Sequence, residues 1–330
     1  MRFTQVVILV LLFVVPQALA QAPAPVEGDV EAFERIQAAQ KTNLTLYPRG
    51  SFRVKVRRTI GADQDTQSEA TMVWSGDKTF CDLKATIKDR NARGEPVAVH
   101  QEGQLIRAPG VLVSYDPSPG MLRIWTDARG GYHYELDVRP DEAWFHYRGS
   151  TWDRLLDTES FGPDKYRTTV RREDGGRVVL EREHKESGAA MRIVFSLAKD
   201  GNVIAYEARP GKDGKGRDAA GKYEWKKHPS GLWYVARHEY RVPRDAVAGK
   251  QGAVYTMEIT EFDPDPVIAP GRFEISSLNV PQGTPAEQRV GRSRTVKNRF
   301  TWGEGRSIER LRLDELAEEL RSNGTAAPDR

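Results

Sequence analysis

The chain has 330 residues, with 50 Lys or Arg against 47 Asp or Glu, so its formal net charge at pH 7 is only +3. A nucleic-acid-binding protein would concentrate an excess of basic residues, and this balance argues against that class. With 29% charged and 38% hydrophobic residues, the composition is typical of sheets that bury one face and expose the other.

Residues 1–20 predict a cleaved secretory signal. Arg2 supplies a short basic start, residues 6–15 form an unbroken apolar run, and Ala18-Leu19-Ala20 fits a cleavage site. This run is too short to span a bilayer, which needs roughly 20 residues in a helix. We therefore expect an exported chain that is periplasmic or extracellular, soluble after cleavage and not membrane-spanning.

A linker and one helix are predicted next. Residues 21–29 contain Ala-Pro repeats, which predict an exposed linker. Asp29 is placed to cap a helix over residues 30–42, with Phe33 and Ile36 on its apolar side. We expect this helix to lie on a sheet.

Alternation of apolar and polar residues predicts antiparallel strands through most of the chain after residue 50. In the clearest hairpin, residues 191–197 and 203–208 flank a turn at residues 199–202, with Ile193 and Phe195 on the buried face. A run at residues 97–106 is interpreted as a further pair of strands. Residues 272–278 are interpreted as a short extended segment.

Two further helices are predicted outside this strand pattern. Trp152, Leu155 and Leu156 have helical spacing and predict a short helix. Apolar residues at helical spacing between residues 308 and 320, with charged residues between them, predict a C-terminal amphipathic helix.

These elements predict an α+β fold that is mainly antiparallel β. We expect a curved sheet or half-open β-barrel of about ten strands, whose concave side is closed by a few helices. The predicted divisions are a signal (1–20), a linker (21–29), one domain (30–290), a charged C-terminal extension (291–322) and a disordered tail (323–330).

No motif for catalysis, metal or cofactor binding emerges from the sequence. Residues 216–222 have the spacing of a phosphate-binding loop, but Tyr223 stands where a hydroxyl must hold magnesium. The six histidines lack metal-ligand spacing. Asp263 and Asp265 each precede a proline and are interpreted as turn residues. We expect a non-enzymatic protein without cofactor, and keep a hydrolase as a distant alternative.

Two side chains are interpreted as structural. Cys81 is the only cysteine, so no disulfide can form within the chain, and we expect its thiol to be buried. His238 shares one face of a predicted strand with Tyr234 and Tyr240, and is expected in the core or at its rim.

Large apolar residues in the strands are the remaining candidates for function. If the helices leave part of the concave side unfilled, such residues would line a hollow that binds acyl chains. The same residues equally fit an ordinary core. The candidate ligand-binding residues are Trp74, Leu122, Ile124, Trp125, Ile193, Phe195, Trp233 and Tyr234.

The order of several segments resembles one known superfamily. The segments are FRVKV (52–56), WSGDK (74–78), VSYDP (113–117), FEI (273–275) and PQGT (281–284). Together with the predicted signal and the predicted helix at residues 30–42, they resemble the periplasmic lipoprotein-carrier (LolA-like) superfamily over residues 30–290. The resemblance implies an incomplete β-barrel, closed by helices around an apolar cavity for acyl chains.

The leading hypothesis is therefore an exported carrier-like protein that binds a lipid or an acylated protein and performs no chemistry on it. The alternative hypothesis is an envelope interaction or stress-sensing module. It would use the same fold and bind an envelope protein through the C-terminal helix.

Overall fold

A computed structural model describes residues 26–61, 64–90, 95–118, 120–126, 146–147, 150–157, 161–212, 218–242, 252–290 and 296–303, with Gly305 and Glu315. The predicted signal and most of the predicted linker lie outside these residues. So do the residues of the predicted tail and, apart from Glu315, those of the predicted C-terminal helix.

The described residues form eighteen strands, two α-helices and two 3₁₀ turns. The strands are β1 (Val26–Gly28), β2 (Arg49–Ile60), β3 (Gln64–Ser75), β4 (Lys78–Arg90), β5 (Pro96–Ala108), β6 (Val111–Asp116), β7 (Met121–Thr126), β8 (His146–Tyr147), β9 (Ser150–Thr151), β10 (Tyr166–Glu173), β11 (Arg177–His184), β12 (Ala190–Ser196), β13 (Asn202–Arg209), β14 (Ala219–Lys227), β15 (Trp233–Val242), β16 (Ala253–Asp263), β17 (Pro285–Val290) and β18 (Val296–Thr301). The helices are α1 (Val30–Asn43) and α2 (Trp152–Leu155), and the 3₁₀ turns are Leu197–Lys199 and Ile275–Leu278. Within these ranges, no helix has the length and apolar content that crossing a membrane requires.

Sixteen of these strands form one open sheet. Their order is β1-β10-β11-β12-β13-β14-β15-β16-β2-β3-β4-β5-β6-β7-β17-β18, so β1 and β18 are its two edges, and β8 and β9 pair separately. Antiparallel pairing dominates; β1 on β10 and β17 on β7 are the parallel pairs.

The mainly antiparallel sheet is confirmed, but several details differ from the sequence prediction. The estimate of about ten strands is too low, since β1, β17 and β18 are short or polar and lack a clear alternation. Residues 97–106 belong to the single long strand β5 rather than to a pair. Residues 272–278 contain a 3₁₀ turn rather than an extended segment. The sheet also continues beyond residue 290, because β18 pairs with β17.

The sheet has two differently covered faces. The face that packs against α1 and α2, here called the helical face, carries the larger apolar cluster, which includes Ile36 of α1 and Trp152 of α2. Consecutive side chains of a strand point to opposite faces of the sheet. In β7, for example, Trp125 joins the helical-face cluster, whereas Ile124 joins a second cluster on the opposite, outer face.

The C-terminal part of the chain covers that second cluster. After β16 the chain passes to the outer face, where Ile275 and Leu278 pack on buried residues of β4 to β7. The Arg272 guanidinium lies 3.7 Å from the centre of the Phe80 ring. Strand β17 then pairs in parallel with β7, which places Ala286 beside Leu122. The outer-face cluster comprises Phe80, Ile106, Ala108, Val111, Val113, Tyr115, Leu122, Ile124, Ile275, Leu278, Ala286 and Phe300.

Both ends of helix α1 are fixed by side chains. At its start, the Asp29 carboxylate accepts a hydrogen bond from Ala32 N at 2.9 Å, so the predicted cap is confirmed. At its end, Gln40 Nε2 donates to Gly201 O at 2.7 Å, and Asn43 Nδ2 donates to Asn202 Oδ1 at 2.9 Å. These bonds tie the helix to the β12–β13 turn. That turn forms at the predicted position.

A close approach between a glycine and a tryptophan fixes the pairing of β2 with β3. Gly50 lies directly opposite Trp74, whose ring is fully buried and covers the glycine. A Cβ placed on Gly50 would lie 2.2 Å from that ring. The indole Nε1 donates to Tyr47 O at 3.0 Å, which limits how far the ring can move aside.

We expect Gly50→Ala to lower the free energy of unfolding by about 2 kcal/mol, because the added methyl overlaps a buried ring. Chemical denaturation of the purified chain measures the change. Gly162→Ala is the matched control, since its Cβ would meet no atom within 4 Å. Equal stability of the two variants would contradict this account of the β2–β3 contact.

Candidate apolar binding surface

The long strands β2 to β5 extend beyond the tightly packed part of the helical face. Along β2, Phe52, Val54 and Val56 are buried, whereas Ile60 is only half-buried. Along β5, Leu105 is buried, but burial is lost toward the start of the strand. The same alternating face thus begins in the core and ends in a surface that the described elements leave partly open.

Apolar side chains continue along this open part. Val97 and Val99 of β5 lie on the same face as Leu105 and are 36% and 47% exposed. We call the following set the open apolar surface: Ile60, Ile87, Val97, Val99, Val242 and Tyr255. It is continuous with the half-buried residues Leu83, Tyr240 and Met257, which pack against the helical-face cluster.

The strand register brings these residues together. One row of directly paired residues crosses six strands in the order Tyr240, Tyr255, Arg58, Thr66, Ile87 and Val99. A second, shorter row pairs Val242 with Ala253 and Ala253 with Ile60. Paired residues share a face, with their Cβ atoms roughly 5 Å apart. The surface is therefore formed by neighbouring side chains rather than by isolated exposed residues.

Arg58 places a positive charge within the first row. Its guanidinium carbon lies 5.2 Å from the centre of the Tyr255 ring, a cation–π contact that holds the side chain against the sheet. Arg58 is half-buried, with apolar neighbours in both adjacent rows. The combination of an apolar surface and one held cation suits a ligand with an apolar chain and an anionic or polar head.

A group of aromatic rings packs against α2. The His238 ring stacks on the Tyr223 ring at 4.2 Å and lies 6.4 Å from Tyr206, which contacts Trp152 of α2 at 5.5 Å. Gly221 makes room for this group, because a Cβ there would lie 2.3 Å from the Tyr206 ring. The rings fill the space under α2.

Burial changes the titration of two groups in this region. Desolvation lowers the pKa of His238 to about 4, so its imidazole is neutral near pH 7, and its Nε2 has no hydrogen-bond partner in the described part of the chain. Burial likewise raises the pKa of the Tyr223 hydroxyl. The predicted placement of His238 in the core or at its rim is confirmed, since it stacks on the buried Tyr223 on the same face as Tyr240. The predicted alternation from Tyr234 to His238 is broken, because the register shifts between Val235 and Arg237.

A buried arginine connects α2 to the sheet. Arg182 of β11 donates through Nε to Thr168 Oγ1 at 3.1 Å and through an Nη to the carbonyl of Leu155, the last residue of α2. Its guanidinium also lies 4.1 Å from the centre of the Phe161 ring. Desolvation lowers the pKa of Arg182 to about 10, and it remains charged at neutral pH.

The eight predicted ligand-binding residues do not gather around one hollow. Trp74, Trp125, Ile193 and Phe195 are buried in the helical-face cluster. Leu122 and Ile124 are on the other side of the sheet, in the outer-face cluster. The prediction overlooked that Leu122 and Ile124 alternate with Trp125 along one strand, so the pleat sends them to the opposite face.

The other two predicted residues lie at the rim of the helical-face cluster. Trp233 Nε1 donates to Asp200 Oδ2 at 2.9 Å, and the Tyr234 ring stacks on Phe262 with a centroid distance of 4.8 Å. Both are half-buried. Cys81 is buried, as predicted.

None of the eight belongs to the open apolar surface, which the sequence prediction missed. Valines and isoleucines on strands are ordinary core residues, and the prediction favoured aromatic residues instead. The length of the strand was the sequence signal that could have revealed this surface. Residues 97–106 alternate without a turn, and one long strand would have carried Val97 and Val99 away from the core.

Comparisons with known proteins return structural likenesses only. No protein-family model matches the chain, and no curated protein sequence matches it. A LolA superfamily protein from Nitrosomonas europaea is similar with a TM-score of 0.39 and 9% identity, over 74% of this chain and 99% of that protein. It represents the superfamily that the sequence resembles.

Two further solved structures are similar to this chain. An uncharacterized conserved protein from Thermus thermophilus has a TM-score of 0.28 and 10% identity, over 78% of this chain and 98% of that protein. LprF from Mycobacterium bovis has a TM-score of 0.23 and 10% identity, over 74% of this chain and 98% of that protein. At such values the likeness carries no argument about function, which must rest on this chain's own side chains.

Replacing Arg182 tests its contact with α2. We expect Arg182→Ala to lower the free energy of unfolding by about 3 kcal/mol, because it removes buried packing and leaves the Leu155 carbonyl without its donor. Urea denaturation measures the loss. Arg177→Ala on the same strand is the control, because Arg177 is exposed. A loss at Arg182 no larger than at Arg177 would show that α2 is held by other contacts.

His238 predicts a pH dependence of stability. Its pKa of about 4 in the folded chain lies below the ordinary 6.5, so between these values the unfolded chain binds more protons. The free energy of unfolding should be unaffected by this site above pH 6.5, should fall as the pH drops toward 4, and should then level off. The full effect is at most about 3 kcal/mol.

Denaturant titrations between pH 4 and pH 7.5 measure this slope. The variant His238→Gln should show a shallower fall than the unsubstituted chain, whereas His100→Gln, at an exposed position, should not. Identical pH profiles for all three chains would mean that other groups cause the acid sensitivity.

Proposed function

We propose that this protein is a carrier-like binding protein that holds an acyl chain of a lipid or of an acylated protein on its open apolar surface. The observation that carries the proposal is this surface of apolar side chains on neighbouring strands, which the described elements leave partly open on the helical face of the sheet. Isolated exposed apolar residues are normal, but a continuous set is typical of a binding site.

The physical basis is burial of methylene groups. Each methylene of an acyl chain that leaves water contributes about 0.8 kcal/mol. The central row supplies the length, since the path from Arg58 through Thr66 and Ile87 to Val99 crosses three strand spacings, or about 14 Å at 4.8 Å each. An acyl chain can therefore lie along this row without any large rearrangement of the sheet.

Arg58 would determine how a ligand is oriented on the surface. Its charge lies between Tyr255 and Thr66 in the central row, with apolar residues on both sides. An ionised carboxylate or phosphate head would bind there through charge-assisted hydrogen bonds. The apolar chain would then extend toward Ile87 and Val99.

Binding without chemistry is part of the proposal. The described residues of the surface are apolar side chains, hydroxyls and a guanidinium, which suit retention of a ligand rather than proton transfer. Export through a signal at residues 1–20, with a periplasmic or extracellular location, belongs to the same proposal. The alternative of an envelope interaction module depends on a C-terminal helix outside the described residues.

A fluorescent fatty acid tests the surface directly. We expect saturable binding of a dansylated fatty acid to the mature chain. Ile87→Asp or Val99→Asp should weaken it at least about tenfold, or roughly 1.4 kcal/mol, because an ionised carboxylate would face the acyl chain. Fluorescence titration measures the affinity.

Thr86→Asp is the matched control, because Thr86 adjoins Ile87 but lies on the outer face of β4. Arg58→Gln should reduce the preference for a fatty acid over the corresponding fatty alcohol. An equal loss in Thr86→Asp, or no binding to the unsubstituted chain, would disprove the proposed use of this surface.

A further inference from the structure

A second candidate site lies on the outer face of β10 to β13, away from the open apolar surface. A cavity of about 290 Å³ is formed there by side chains of four adjacent strands. Its residues include Arg167, Glu183 and Arg209, so its wall is charged, unlike the apolar helical face.

One small residue creates the hollow. The register pairs Arg167 with Glu183, Glu183 with Ala190 and Ala190 with Arg209, so these four side chains form one row across the sheet. The methyl group of Ala190 is much shorter than its neighbours. Space is therefore left between Glu183 on one side and Arg209 on the other.

Most charges around this hollow are already paired. Arg167 forms an ion pair with Glu27 at 2.8 Å. Arg192 lies 3.5 Å from Glu173 and 3.6 Å from Glu181. These contacts leave little net charge on that part of the wall.

Glu183 and Arg209 are different. Neither forms an ion pair or a hydrogen bond with another residue in the described ranges, although Glu183 acts electrostatically on Arg167. The two residues flank Ala190 in the row, and both line the cavity. Their strands, β11 and β13, have only β12 between them, so the two backbones are roughly 10 Å apart. This distance leaves room for a small group between the two side chains.

We propose that this cavity binds a small zwitterion, with an ammonium group at Glu183 and a phosphate or carboxylate at Arg209. Arg192 also lines the cavity, but its contacts with Glu173 and Glu181 leave Arg209 as the principal donor to the anion. A ligand with a single charge would satisfy only one of these two side chains. A simple anion would leave Glu183 without a partner, and a simple cation would leave Arg209 without one.

The same chemistry occurs in free small molecules and in zwitterionic lipid headgroups. The inference does not depend on acyl-chain binding, because the two sites lie on opposite faces of the sheet. Loss of fatty-acid binding in Ile87→Asp and loss of zwitterion binding in the variants below are separate results.

O-phosphoethanolamine is a suitable probe, because it carries a phosphate and an ammonium on adjacent carbons. We expect saturable binding by isothermal titration calorimetry. Arg209→Gln should weaken it about tenfold or more through loss of a charge-assisted bond. Ala190→Leu should weaken it similarly while keeping every charge, because the larger side chain fills the hollow.

Arg177→Gln, at the far end of β11, is the matched control and should bind as the unsubstituted chain does. Thermal denaturation of each variant establishes that it is folded. If Ala190→Leu does not fold, Glu183→Gln at the exposed partner position tests the same site, and it should weaken binding of O-phosphoethanolamine but not of inorganic phosphate.

Four outcomes would overturn the proposal. They are no binding to the unsubstituted chain, an equal loss in Arg177→Gln, undiminished binding in both Arg209→Gln and the hollow-filling variant, or inorganic phosphate binding as tightly as O-phosphoethanolamine. Co-sedimentation with phosphatidylethanolamine vesicles then distinguishes the sources. Retention on the vesicles indicates a lipid headgroup, and binding of the soluble probe alone indicates a free zwitterion.

Discussion

The structure depends on the uninterrupted register of the four long strands β2 to β5. No bulge shifts the pairing of β2 with β3, of β3 with β4 or of β4 with β5. A side chain therefore keeps its face along the full length of each strand. Because of this constraint, the residues that form the core under the helices and those that form the open apolar surface belong to one continuous face.

This continuity explains how one sheet can be stable and also carry the proposed binding surface. The part of the face near α1 is closed by Ile36 and its neighbours, and it supplies the hydrophobic stability of the fold. The remaining part contributes less to stability, since its residues are only half-buried. The proposed binding would therefore use apolar surface that contributes little to folding, while Tyr206 and Tyr223 pack against Trp152 of α2.

Much of the architecture could be predicted from the sequence because it follows from local patterns. The Asp29 cap and the turn at residues 199–202 each involve a few neighbouring residues, and each is confirmed. The alternation in β12 is confirmed only in part, because Ile193 and Phe195 join the helical-face cluster, but a bulge follows Val194, and Val194 and Ser196 are buried as well. The open apolar surface could not be found in this way. Its composition depends on which strands pair and where helix cover ends, and both are set by contacts between distant parts of the chain.

The outer face illustrates the same limit. Sequence alternation placed Leu122 and Ile124 in strands, but only the position of the C-terminal segment shows what buries them. Similarly, Ala190 becomes part of a candidate site only because the pairing of three strands places Glu183 on one side of it and Arg209 on the other. Spacing along one strand cannot reveal a hollow between its neighbours.

The parallel attachment of β17 to β7 has a consequence for biosynthesis. Leu122 lies beside Ala286, so more than 160 further residues must enter the folding compartment after Leu122 before this contact can form. Until then, the apolar outer face of β4 to β7 stays exposed and prone to aggregation. A chaperone that covers this exposed face until β17 and β18 have paired would therefore favour correct folding.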